Sequence, residues 1–206
     1  MFPYAQAPKS GFTGYGKGDG FKQKDLATPH NVADTSSYKI YVPGTKFRYY
    51  NPELKGWGTC IYLRYSAGAE TLVAGMICQP DPALDSLYYV TGDADTFVDL
   101  AVGKPNCIAL SAMTTTYWGF FWCGGVCPDF YTSATVKFSA VTCATDNSLT
   151  AGEGFGAERT TDGKIASYDT TSVHTADNHS QAGWVLADDG GTTTDMGNLV
   201  LIDFWP

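Results

Sequence analysis

The chain has 206 residues, 44% of them hydrophobic and 14% aromatic, which is enough to bury a sizeable core and excludes general disorder. Only 17% are charged, and 23 glycines with 13 tyrosines favour strands and turns over a helical bundle. The net charge of −8 argues against binding nucleic acid through phosphate neutralisation, and no run approaches the ~18 apolar residues of a membrane span.

That charge is unevenly placed. Residues 1–64 hold nine of the thirteen Lys/Arg but four of the twenty-one Asp/Glu, a balance of +5, and residues 65–206 carry −13. In residues 1–36 no hydrophobic period is sustained. Gly11, Gly14, Gly16, Gly18 and Gly20 alternate with Phe12, Tyr15, Lys17 and Phe21, and glycine at this density makes a helix costly. This segment reads as an extended basic arm. Its candidate anchors are Phe2, Tyr4, Lys9, Phe12, Tyr15, Lys17, Phe21, Lys22 and Lys24, which would be buried only against a second surface. The start of the chain lacks a basic stretch followed by an apolar one, so synthesis in a cytosol is expected. The six cysteines are then expected as buried free thiols.

From residue 37 a β-rich body is expected, either one unit over 37–206 or two, 37–100 and 101–206. Residues 38–50 read as a hairpin around Pro43-Gly44. Strands are expected over 59–66 and 71–78, then a short helix in "DPALDSL" (81–87) and a strand over 86–92. Further strands, spaced about 8–12 residues apart, are expected at 107–113, 117–125, 135–145, 164–169, 183–188 and 197–204. That rhythm belongs to sandwiches and barrels. In "YWGFFWCGG" both faces are apolar, so this strand is either central or exposed at a subunit contact. Trp118, Phe120, Trp122, Phe204 and Trp205 are the corresponding interface candidates. A weak internal echo links "CIALSAMTTTYWGFFW" with "WVLADDGGTTTDMGNLVLIDFW", two strands joined through Thr-Thr-Thr.

Chemistry-bearing patterns are sparse. Cys123 and Cys127 in "CGGVC", with His174 and His179, have ligand types suited to zinc, but two buried thiols at a strand end are the favoured reading, and no metal or cofactor is expected. Asp93, Asp95 and Asp99 lack the glycine and glutamate of a calcium loop. No phosphate-binding loop, nucleophile elbow or metalloprotease motif appears, and an enzyme is not expected.

Residues 107–204 resemble bacteriophage capsid cement, or decoration, proteins. The resemblance rests on "GKPNCIALSA", "YWGFFWCGGVCP", "LTAGEGFGAERTTDGKIAS" and the "GWVLA" strand before the final hairpin. It implies a β-sandwich, jelly roll or β-barrel with an N-terminal arm, bound to the capsid exterior of a virion. It also implies a homotrimer whose partner is the major capsid protein, with no catalytic residues to transfer. The alternative is a receptor- or glycan-binding module of a tail or fibre.

Overall fold

The computed structural model describes residues 35, 37, 39, 41–51, 54–66, 71–84, 86–93, 105–128, 130–131, 137–138, 141–142, 149–157, 162–167, 181–186, 195–196, 199–203 and 205. Every regular element among them is a strand. They are β1 (Lys46–Asn51), β2 (Gly56–Tyr65), β3 (Ile77–Pro80), β4 (Tyr89–Thr91), β5 (Cys107–Ala109), β6 (Trp118–Val126), β7 (Phe130–Tyr131), β8 (Lys137–Phe138), β9 (Val141–Thr142), β10 (Gly154–Ala157), β11 (Ile165–Ser167), β12 (Gly183–Val185), β13 (Asp195–Met196) and β14 (Leu199–Leu201). The protein is mainly β, as its composition predicts.

Ten strands share one sheet in the order β1-β2-β4-β3-β5-β6-β14-β12-β10-β11, and β2 also pairs with β6. The second pairing closes a circuit of five strands, β2-β4-β3-β5-β6, leaving β14-β12-β10-β11 as an antiparallel wing on β6. Among the described strand pairs only β2–β4 is parallel. Strands from both 37–100 and 101–206 complete the circuit, so the two segments share one sheet.

The β2–β6 pair organises the core because both its faces are covered. Cys60 and Tyr62 join Trp118, Phe120 and Trp122 in a core shared with β1 and the wing, where Phe155, Ile165, Val185, Leu199 and Leu201 pack. Ile61, Leu63 and Tyr65 turn the other way with Phe121 and Cys123, into a core to which all five circuit strands contribute. Apolar side chains at every position from 60 to 63 and 120 to 123 are what such a strand pair requires. Trp122 is fully buried, and its indole N–H donates to the Gly124 carbonyl at 3.0 Å.

Register slips once along this pair. Thr59 faces Gly124 while Cys60 faces Trp122, leaving Cys123 as the extra residue of a bulge. Just beyond it Gly125 adopts φ +75°, and a Cβ there would run into the carbonyl oxygen of Trp57.

Several expected elements are redrawn. The Pro43-Gly44 turn exists, with Thr45 N–H donating to Val42 O at 3.0 Å, but among the described residues only its second arm is a strand. Gly44 N–H and Thr45 O bond to Tyr62 instead, so β2 takes the edge that a local hairpin would use. Tyr41 packs its ring against Phe47, Tyr62 and Phe120. The strand expected over 71–78 breaks at a turn around Gly75 and resumes as β3. The helix expected at 81–87 is absent among the described residues. Asp81 Oδ1 accepts from Ala83 N–H and Asp81 N–H donates to Tyr89 O, both at 2.9 Å, which ties the ends of the β3–β4 connection too closely for a helix. The echo in the sequence corresponds to two adjacent pairs, β5–β6 and β12–β14, joined where β6 meets β14.

Two glycines separate conformation from space. Gly152 also has positive φ, +86°, but nothing lies within 4 Å of a Cβ placed on it. Gly152→Ala is expected to lose only about 1–2 kcal/mol of stability from the left-handed backbone. Gly125→Ala is expected to lose clearly more, because the added methyl meets backbone in the β2–β6 pair. Urea unfolding of the two variants measures the difference, and equal losses would contradict the packing described.

Candidate functional site

Strand β1 alternates strictly. Phe47 and Tyr49 are buried, Arg48 is exposed and Tyr50 is half-buried. Across the β1–β2 ladder Arg48 faces Thr59 and Tyr50 faces Trp57, so Arg48, Tyr50 and Trp57 share the face opposite the buried pair. Trp57 is 57% exposed, the most exposed tryptophan among the described residues. Its ring is nonetheless held: the Tyr50 ring lies 5.4 Å away at 61°, and the Arg48 guanidinium stands 5.2 Å from its centroid. Such neighbours restrict the indole before any partner arrives.

A second exposed aromatic lies on the wing. Trp184, 44% exposed, faces half-buried Val200 across β12–β14, and Val200 faces Val126 on β6. Leu186, one residue beyond β12, is also exposed. Elsewhere Arg64 reaches over Tyr89 and Trp118, at 5.2 and 5.8 Å, while its Nε donates to Thr116 O at 3.0 Å. Lys39 lies 6.0 Å from the same indole. Lys46 donates to Trp205 O at 2.7 Å and pairs with Asp203 at 3.6 Å.

The arm candidates Phe2, Tyr4, Lys9, Phe12, Tyr15, Lys17, Phe21, Lys22 and Lys24 lie outside the described residues, as do Phe204, His174, His179, Asp95 and Asp99. Trp118, Phe120, Trp122 and Trp205 are between 0% and 8% exposed in the single chain. Of the two readings open to that strand, it takes the central one, and these rings are already occupied by the chain's own cores. Cys123 and Cys127 belong to different cores, so the bulge and Gly125 turn the two thiols apart instead of presenting them to one ion. Trp57 and Trp184 are the two tryptophans absent from the interface candidates that the sequence offers. The alternation of "KFRYYN" was the available signal, because it assigns Arg48 and Tyr50 to the outer face.

Five cysteines are described, all free and buried. Burial is the first cause that pushes Cys60, Cys78, Cys107 and Cys123 above the ordinary thiol value of 9.0. Neighbouring thiols add to the rise at Cys60 and Cys107, whereas at Cys123 Asp203 raises and Lys46 lowers it. Two buried amides are only partly satisfied. Gln79 Nε2 donates to Asn106 Oδ1 at 2.6 Å, while Gln79 Oε1 and Asn106 Nδ2 have no partner.

No protein-family model, curated protein or solved structure matches the chain. Trp, Tyr and Arg are the residue types that dominate binding energy at protein interfaces, and here all three meet on one solvent-facing patch.

The raised thiol values have a definite sign in stability. Below the unfolded value both states keep the proton. Above it the unfolded chain ionises and the folded chain does not, so stability should fall as pH rises beyond about 9, by up to about 1.4 kcal/mol per pH unit for each thiol. Urea unfolding at pH 8 and pH 10 checks this. The Cys78→Ala variant should show a shallower loss than the parent, and an identical slope would remove Cys78 from the account.

Proposed function

We propose that the chain is a structural virion protein that binds the outer surface of a phage capsid and cements neighbouring capsomers. The observation that carries the reading is the exposed Arg48–Tyr50–Trp57 patch, a pre-ordered anchor on a β-rich body. The sequence of segment 1–36 supports it, because four lysines and regularly spaced aromatics interleaved with glycine suit attachment through a pliable arm. Each contact is modest, and repetition over a shell multiplies effective concentration. Ordering an arm costs roughly 1–2 kcal/mol of backbone entropy per residue, offset by aromatic burial at roughly 25 cal/mol per Å². The partner is the major capsid protein, on the exterior of particles assembled in a host cytoplasm. In a homotrimer the contact falls to the Trp184, Leu186 and Val200 strip, since Trp118, Phe120, Trp122 and Trp205 are committed to the cores. No chemical transformation belongs to this role.

A receptor- or glycan-binding tail or fibre module is the second reading, favoured by one observation: Trp57 and Trp184 both expose ring surface on which a sugar could stack. Copy number separates the two. Quantitative mass spectrometry of virions carrying the chain should find hundreds of copies for a cement protein, and a handful identifies an adhesin.

Binding to isolated heads tests the patch directly. Trp57→Ala should leave the fold intact and weaken retention by about 2 kcal/mol or more, roughly 30-fold. Deleting residues 1–36 should leave a folded body that no longer reaches full occupancy. Parent-like occupancy of both variants would overturn the reading.

A further inference from the structure

Three buried thiols enter one core from consecutive neighbours of the circuit, and a fourth, Cys60, lies on the adjoining β2 and faces the other core. Cys78 on β3 and Cys107 on β5 are direct cross-strand partners. On the other side of β5, Ile108 faces Trp122 and Ala109 faces Phe121, so the next step in register sets Cys107 opposite Cys123. Cys123 is also the bulged residue beside Cys60 on β2. Cys78, Cys107 and Cys123 enter the same core and are free, with no solvent exposure.

The phase of the ladder distinguishes the candidate pairs. Leu110 N–H donates to Phe120 O at 3.4 Å, which marks that pair as hydrogen-bonded. Alternation then makes Cys107–Cys123 a non-hydrogen-bonded pair, whose Cα atoms lie about 4.5 Å apart with the side chains at their closest. On the β3 side Ala109 N–H donates to Met76 O, while Ile77 N–H turns away to Gly163 O. That phase puts Cys78–Cys107 at a hydrogen-bonded position, where side chains stand further apart. A disulfide spans Cα separations of about 4.4–6.8 Å with Cβ atoms about 3.5–4.5 Å apart, and Cys107–Cys123 fits it better.

We propose that Cys107 and Cys123 are a latent disulfide site, closed by a two-electron oxidant of the peroxide or diazene class. In the reduced protein Cys107 Sγ points to the Cys78 carbonyl oxygen at 3.6 Å, and rotation about χ1 brings it to Cys123. The two S–H bonds break and one S–S bond forms. The pair gives up two electrons and two protons, and a diazene takes up both as it becomes a hydrazine. Burial keeps both thiols protonated and shielded, so closure waits on transient opening of the β5–β6 contact. The same burial then shields the bond from reductants. This site stands independently of the capsid reading.

The test uses the full chain, treated with the diazene oxidant diamide under native conditions, quenched in acid, denatured and alkylated. Free thiols should fall from six to four, with a Cys107–Cys123 peptide found by mass spectrometry. The melting temperature should rise by roughly 5–10 °C and return with dithiothreitol. Cys78→Ala should still lose two thiols, and Cys123→Ala should lose none. Six alkylated thiols in the oxidised parent would overturn the proposal, as would a bond mapped to any other pair. Peptide mapping of the parent decides the matter even where a variant does not fold.

Discussion

Burial of β2 and β6 on both faces is the constraint from which the rest follows. A strand pair with one wet face can end at an edge, but this pair has to be covered twice. The circuit β2-β4-β3-β5-β6 covers one side, and β1 with the wing covers the other. The bulge at Cys123 and the left-handed Gly125 make the second cover feasible. They shift the phase so that Gly125 and Cys127 continue towards the wing core after Trp122, and β14 pairs at that point. Tyr49 strengthens the junction, its hydroxyl donating to the carbonyl of Val126.

How legible this was depended on whether the signal was local. The run "YWGFFWCGG" shows both apolar faces of β6 directly, whereas the alternation in "KFRYYN" assigns Phe47 and Tyr49 to the inside only once the strand over 46–51 is known. Mainly β character followed from glycine, tyrosine and threonine content. What stayed hidden was competition between distant segments. Tyr62 captures the backbone of residues 44–45, so the expected hairpin partner is replaced. The tie between Asp81 and Tyr89 outweighs the weak helical preference of "DPALDSL". The patch at Trp57 was concealed for the same reason: five tryptophans look alike until register decides which are covered.

The cations follow a pattern too. Lys39, Arg48 and Arg64 each rest over an aromatic ring, and Lys46 sits between Asp203 and the Trp205 carbonyl. On a chain with net negative charge, cationic side chains laid over rings cover apolar surface with their stems. The Arg48 guanidinium is the one that accompanies a largely exposed ring, so the patch combines a cation and an aromatic surface.

Trp205 has a consequence for biogenesis. Its indole donates to the Asn106 carbonyl 99 residues earlier, and its own carbonyl accepts from Lys46 across 159 residues. On a ribosome the five-strand circuit would therefore lack one of its large core side chains until translation had nearly passed the whole described chain. Nonlocal pairing of this kind slows folding and lengthens the time for which unpaired strand edges are available to neighbours. High-level expression should consequently strain chaperone capacity more than the modest length of the polypeptide suggests.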